Sequence, residues 1–511
     1  MVDAVNFVAD TVFDTDDSGK ASPSYASFAD KGLLSRFLRE PEPLNAILYW
    51  LQHIENRPCP GAAFVAPILG RAIAEIDSLI NKQINSILHH PVMQELEASW
   101  RGLLYLTEQA ERYDREQKVK VKLISLSWPE LSKDINRAID FDQSEFFKLI
   151  YDNEFDMAGG EPFGVLIGDY QISHKIRRGQ SINDLDTLKE VTRTAAAAFA
   201  PFITAAHPSL FGVDHFSELG QVADIASQFK QPEYVKWRAL REMEDARFLG
   251  LVLPQVLMRP PYKDDGSRSE GFVFKEQFKR PQSDYLWGNA AWAFAGVLVR
   301  AYSESGWFGQ IRGMKAGHYN FGLVTHLPVS QYETEKYQSF NKPSVNLLVG
   351  HRFEAALSDS GFVPLSAVPY SDFYAFYNNA SVQEAKSFDK TLSSVNARLS
   401  AMLQYILCVA RFAHYIKVIG RDKVGGYVSA EECQQDLQSW LHNYTTASED
   451  ASYEVRARRP LREARITVKE KRGQAGRYYS VIQLQPHFQL DHMVTSVKLV
   501  AELSPKQKAL A

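Results

Sequence analysis

Residues 87–106 read ILHHPVMQELEASWRGLLYL. His89 and His90 meet Pro91, and Glu95, Glu97, Trp100 and Arg101 follow. Upstream, Leu69, Ile73, Ile76, Ile80, Ile84 and Ile87 recur every three or four residues, the spacing of one helix face. Pro91 cannot continue that helix but suits the first position of the next. Val92, Leu96, Trp100, Leu103 and Ala110 then trace a stripe on a second helix. The stretch reads as a helix–helix corner. Adjacent histidines point in different directions, whereas zinc uses an i, i+4 pair or a third nearby ligand, so no metal is expected. Trp100 is expected in the core, with Arg101 and the glutamates facing solvent or a partner.

The chain has 511 residues, enough for roughly three domains. Hydrophobic residues make up 45% and charged residues 23%, which suits a soluble protein with a real core. A net charge of −4 gives no global field for nucleic acid. Cys59, Cys408 and Cys433 lie far apart, so neither a disulfide framework nor a zinc site is expected. The first twenty residues lack a basic start followed by an apolar run, and no run of 18 apolar residues occurs. These features suggest a reducing, cytoplasmic setting without membrane insertion.

Residues 14–28, DTDDSGKASPSYASF, suit an extended polar arm, preceded by the short apolar segment VNFVADTVF at 5–13. Beyond the corner, VKVKLISL (119–126) alternates like a strand, and Ser127 with Glu130 forms a capping box for the helix after it. FGVLIGDY (163–170) reads as a buried strand, 184–206 as a long helix, 232–246 as another, and 248–259 as strand-like. Strands separated by helices suggest a mixed α/β sheet. Residues 286–302, which include Trp287, form a helix apolar almost all round, to be buried in the domain or under a partner. Trp287 is expected in the core.

The last part reads as helices then strands. Leu399, Met402, Leu403, Ile406, Ala410, Ala413 and Ile416 mark a helix, and ARITVKEK (464–471), RYYSVIQLQ (477–485) and VTSVKLVAEL (494–503) read as strands of an α+β unit. The first two strands form a hairpin, with Ile466 and Val468 alternating on one and Ile482 and Leu484 on the other.

No phosphate loop, nucleophile elbow or H-E-x-x-H motif occurs, and no catalytic residue or cofactor is expected. GGEPFG (159–164) precedes a strand, and Pro162 removes an amide donor, so it reads as a turn. Arg456, Arg458, Arg459, Arg462 and Arg465 are interleaved with glutamates and lack an aromatic platform, which favours a solvated or inter-subunit face over RNA binding. The profile is that of assembly rather than catalysis.

ILHHPVMQELEASWRGLLYL closely resembles the opening of the TssC (VipB/EvpB) family, large subunits of the type VI secretion contractile sheath. In the family's order follow GGEPFGVLIGDY (159–170), YLWGNAAWAFA (285–295), ARFAHYIKVIGRDKVG (410–425), RPLREARITV (459–468), QPHFQL (485–490) and LVAEL (499–503). The resemblance covers about residues 65 to 505. It departs at Gln485, where Arg is common, and at Gln171, where an acidic residue often stands.

The resemblance implies an N-terminal arm (1–64), a phage tail-sheath-like α/β domain (65–378) and a gpW/gp25-like α+β domain (379–511). It implies pairing with a small TssB-like subunit and stacking of these heterodimers into a helical sheath around an Hcp tube. Contraction then propels the tube and spike from a baseplate, and the ATPase ClpV disassembles the spent sheath. Strands exchanged between neighbours link such lattices. The expected participants here are Val5, Phe7 and Val12 of the arm, and Ile466, Val468, Val481, Ile482 and Leu484 of the hairpin. Two alternatives remain at this point: a phage-like tail sheath outside type VI secretion, and an α/β enzyme without a recognisable motif.

Overall fold

The structure, a computed structural model, describes residues 31–53, 62–157, 159–176, 182–222, 224–264, 266, 271–279, 284–314, 321–335, 338–386, 388, 391–422, 430–448, 451–470, 478–487 and 497–502. Two compact units divide the chain: residues 1–85 with 264–275, and residues 86–263 with 276–511.

In the smaller unit, helices α1 (Lys31–Arg39) and α2 (Pro43–His53) precede α3 (Ala62–Leu88). Trp50 and Ala72 are buried with Phe37, Leu69 and Ile76 around them. The face expected from sequence is split, because Leu69 and Ile76 cover Trp50 while Ile73 and Ile80 are exposed. Asn81 and Asn85 of α3 bond the main chain of Lys275, at 3.1 and 3.4 Å.

The larger unit opens with α4 (Pro91–Tyr113) and α5 (Trp128–Arg137), whose capping box is present, Ser127 N donating to Glu130 Oε2 at 2.9 Å. Its strands are β1 (Leu166–Ile172), β2 (Phe202–Ala206), β3 (Leu249–Leu253), β4 (Val256–Leu257), β5 (Trp287–Gly288), β6 (Leu323–Val324), β7 (Ser330–Glu335), β8 (Gln338–Lys342), β9 (Val363–Ala367), β10 (Tyr374–Phe376), β11 (Leu461–Glu470), β12 (Tyr478–Pro486) and β13 (Val497–Glu502). The main sheet runs β1-β2-β3-β9-β10-β6. β1, β2, β3 and β9 are parallel, and β10 and β6 close it antiparallel.

Parallel sheets need both faces covered, and this one has both. On one face α6 (Asp184–Ala197) sets Leu185, Leu188 and Val191 against Phe202, Leu249 and Leu251. On the other, α7 (Ala290–Ser305) sets Phe294 and Val297 among Ile203, Val252 and Leu365. Asn289 caps α7 through Oδ1 to Ala291 N at 2.7 Å, and every residue from Ala290 to Ala301 is buried. The apolar helix is thus covered within the chain, by the sheet on one side and α4 on the other. Glycines permit that approach: a Cβ at Gly102 would fall inside the Trp292 indole, and one at Gly296 would lie 2.9 Å from the Tyr105 ring.

The α+β part packs α8 (Leu403–Asp422) and α9 (Ala430–His442) on the antiparallel sheet β11-β12-β13. Phe412 stacks on Trp307 at 4.0 Å, within a core of Leu437, Leu441, Ile466, Ile482 and Leu484.

Three sequence readings are corrected. The helix expected over 184–206 ends at Ala197, since Pro201 cannot follow a helical residue, and 202–206 is the central strand β2. The helix expected over 232–246 is helical only over Val235–Glu242, between short 3₁₀ turns. Residues 119–126 have no assigned secondary structure and join no described sheet.

Candidate functional site: assembly surfaces

The corner holds a buried ion cluster. His90 precedes α4 with extended backbone, and Pro91 takes the first helical turn. His89 Nε2 lies 3.1 Å from Glu276 Oε1. Arg259 joins Glu276 through two bonds of 2.7 and 3.1 Å and Glu97 through one of 2.7 Å. Arg101 Nε also reaches Glu97 at 2.7 Å, and the Tyr262 amide donates to Glu276 at 2.9 Å. The Glu276 side chain is 1% exposed. Burial alone would raise its pKa, but Arg259, the Tyr262 amide and His89 together hold it below the ordinary carboxylate range. Among the described residues no group of three or more His, Cys, Asp or Glu side chains could hold a metal ion. Glu97, expected to face solvent or a partner, is instead enclosed between two guanidiniums.

Trp100 is not in the core: it is 61% exposed. The buried face of α4 carries Ala98, Gly102, Tyr105, Leu106 and Gln109, which meet α7. Trp100 falls on another face, aligned at four-residue spacing with Val92, Leu96 and Leu104, which are 67%, 54% and 51% exposed. An unbroken apolar stripe of this kind marks an interaction surface. Trp287, also expected in the core, is half-buried, because β5 pairs only with the short β4.

In the C-terminal sheet, Ile466, Val468, Ile482 and Leu484 point into the domain's own core, and Val481 is half-buried. β12 is the middle strand: Ile482 is flanked by Ile466 of β11 and Leu499 of β13. The expectation that Val481, Ile482 and Leu484 pair with a neighbour's strand is therefore corrected, because both edges of β12 are used within the chain. The outer edge of β11 is occupied by side chains. Gln438 Oε1 accepts the Ile466 amide at 2.9 Å, and Gln434 Oε1 accepts the Val468 amide at 3.0 Å. Val5, Phe7 and Val12 lie outside the described residues.

Two family profiles match in sequence: "EvpB/VC_A0108, tail sheath N-terminal domain" over residues 70–383, and "EvpB/VC_A0108, tail sheath gpW/gp25-like domain" over 392–503. The chain belongs to the TssC/VipB sheath family. It is also 37% identical over 441 residues, 86% of each chain, to the "Type VI secretion system sheath protein TssC1" of Pseudomonas aeruginosa strain PAO1. This TssC/VipB-family chain is accordingly a structural protein of a contractile sheath and not an enzyme. No described helix is long and apolar enough to cross a membrane. The residues that matter are then contact surfaces. Sequence reasoning missed the Arg259–Glu276 pair, the strand-capping glutamines and the exposure of Trp100. The i, i+4 spacing of Gln434 and Gln438 was the available signal for the second.

Proposed function

We propose that this TssC/VipB-family chain pairs with a small TssB-like subunit, and that the heterodimers polymerise in the cytoplasm into a helical sheath around an Hcp tube. Contraction from a baseplate drives the tube and spike outward, and a ClpV-like ATPase recovers the spent subunits. The sheath domains are taken to span residues 65–378 and 379–511 behind an arm of residues 1–64. The arm segment Val5–Phe13 reaches a neighbour's C-terminal sheet. The work comes from a free-energy difference between two packings of the same subunits, repeated along the polymer, so no subunit needs a reactive group.

The observation that carries this reading is the exposed stripe Val92, Leu96, Trp100 and Leu104 on a helix whose opposite side is locked into the core. The test is co-expression with the TssB-like partner, affinity purification through the partner and negative-stain microscopy. Co-purification at one-to-one stoichiometry with tubular polymers is expected. A chain that purifies alone as a monodisperse monomer and ignores the partner overturns the reading.

A further inference from the structure

Where β10 leads into the last part of the chain, three stretches are laced together. Leu403 N, at the start of α8, donates to Asn379 O at 2.8 Å, and Ser381 N donates to Ala401 O at 3.1 Å. Between these bonds Ala380 and Met402 face each other as an antiparallel bridge. On the other side, Asn379 Nδ2 donates to Ile311 O at 2.9 Å, and Arg312 Nε donates to Tyr377 O at 2.7 Å. Residues 311–312, 377–381 and 401–404 are thus held against one another, with 377–381 shared by both contacts. The seam also joins the two profile matches, because 377–381 lies near the end of the first and α8 lies in the second.

Polar atoms gather at this seam without protein partners. Asn378 Oδ1, Asn379 Oδ1, Ser381 Oγ, Arg312 Nη1 and both amide atoms of Gln404, Oε1 and Nε2, are enclosed, and no described protein group bonds them. Asn379, Gln404 and Ser381 are 0%, 1% and 2% exposed. Native proteins leave few enclosed polar atoms unpaired, because each has given up its hydration for nothing. The Ile311 bond fixes which end of the Asn379 amide is free, and turning the Gln404 amide over exchanges one unpaired atom for another.

The chemistry of the set selects its occupant. Arg312 Nη1 and Gln404 Nε2 can only donate, the amide oxygens of Asn378, Asn379 and Gln404 can only accept, and Ser381 Oγ can do both. The guanidinium repels a cation, and the three carbonyl oxygens repel an anion. An apolar ligand would leave every one of these atoms unpaired. Water both donates and accepts. An enclosed water makes about three hydrogen bonds, so a set of this size is satisfied by about two molecules.

We propose that this seam is a binding site for ordered water, held by Gln404, Asn379, Ser381 and Arg312, which bonds the end of the tail-sheath N-terminal domain to the first turn of α8. The side chains then act as one network through the water rather than as separate groups. The site is independent of the partner assignments made above.

The test is a double-mutant cycle in the full chain, read by urea unfolding, with Gln404→Met, Ser381→Ala and the two together. A side chain bonded through water loses those bonds when it is replaced, and it leaves the water and the remaining atoms short of a partner. Each single variant should therefore lower the urea midpoint, with Gln404→Met shifting the folding equilibrium on the order of tenfold. The double variant should lose less than the two losses combined, because both side chains act on the same water. A dry seam has the opposite sign, since removing an unpaired enclosed polar group relieves a penalty. A midpoint unchanged or raised in both single variants overturns the proposal, and so do losses that combine independently. Where Gln404→Met does not fold, electron cryo-microscopy of the unaltered chain, at a resolution that shows solvent, decides. Solvent peaks within hydrogen-bond distance of Gln404 and Asn379 are expected. Side chains that bond one another directly, with no solvent peak between them, overturn the site.

Discussion

Gln438 stands where a neighbouring strand would stand beside Ile466. Its Oε1 accepts the Ile466 amide at 2.9 Å, and its Nε2 donates to the carbonyl of Ala464, also at 2.9 Å. Gln434, one turn earlier on α9, does the same for the Val468 amide. The geometry matches because four helical residues rise about 6 Å and two strand residues about 6.6 Å. Glutamines at i and i+4 therefore meet alternate amides of one strand edge. An edge strand with open main chain invites unplanned pairing, and this helix closes it.

Replacing both glutamines, Gln434→Ala with Gln438→Ala, should reopen that edge. Each lost bond is expected to cost about 1 kcal/mol, giving a lower urea midpoint. The Ile466 and Val468 amides should exchange faster, and light scattering should reveal new association. An unchanged exchange rate at both amides would show that the glutamines do not guard the edge.

The Arg259 cluster gives the opposite kind of prediction. Arg259→Met leaves the buried Glu276 with only His89 and the Tyr262 amide, and Glu97 with Arg101 alone. Removing one partner of a buried pair typically costs roughly 3–5 kcal/mol. His90→Ala, at an exposed position without a side-chain cap bond, should change stability by less than about 0.5 kcal/mol. Chemical denaturation of the heterodimer distinguishes the two.

Trp100 and Gly102 separate binding from folding on one helix. Trp100→Ala should leave the melting temperature nearly unchanged and weaken partner binding by about 2 kcal/mol or more, as for an interface anchor. Gly102→Ala inserts a methyl into the Trp292 ring and should destabilise the fold by roughly 1–3 kcal/mol. Calorimetry on the subunit and titration with the partner read the two effects independently. A large loss of folding stability in Trp100→Ala would contradict the surface assignment.

These contrasts show what sequence could and could not supply. Pro91, the Ser127–Glu130 box and the alternation in β11 and β12 are local signals, and each corresponds to an element now seen. β2 was hidden because Ile203–Ala206 continues an alanine-rich run, and only Pro201 announced the break. The exposure of Trp100 was not legible, since an apolar stripe looks the same whether its cover lies in this chain or another. Arg259 and Glu276 pair across a separation of seventeen residues, without periodicity to mark them. The resemblance supplied the sheath identity, which no local pattern encoded.

Acid should weaken the fold. His414 is buried and its pKa is pushed down to about 3, first by burial and then by the nearby Arg411 charge, against the pull of the Ala198 carbonyl at 2.9 Å. Burial also lowers the pKa of His174, whose ring packs tilted against Tyr234. A histidine whose folded pKa lies below its unfolded value near 6.5 stays neutral in the fold while the unfolded chain takes the proton. Its contribution is fully present above about pH 6.5 and falls as pH drops toward about 3, by roughly 5 kcal/mol for His414. The urea midpoint should decline across that window, and His414→Gln, which can still donate to the carbonyl, should flatten the decline. A midpoint independent of pH from 7 to 4 would refute this.

The arm gives the last prediction. β12 has strands on both sides, and Gln434 and Gln438 close β11. A neighbour's strand entering this sheet must then add outside β13 or displace the two glutamines. Val5–Phe13 is short and apolar, and about fifteen polar residues behind it can span roughly 50 Å when extended. Deleting residues 1–20 should therefore spare the heterodimer yet abolish long sheaths, as seen by co-purification and microscopy on one sample. The Gln434→Ala, Gln438→Ala pair adds a direction to the test. If the arm enters at β11, freeing that edge should lengthen or strengthen sheaths formed by the intact chain. If it enters outside β13, sheath length should be unchanged while nonspecific association rises. Full-length contractile sheaths from the deleted chain would show that the arm is dispensable. Loss of the heterodimer itself would place the arm within one pair, and the link between neighbours would have to be sought elsewhere.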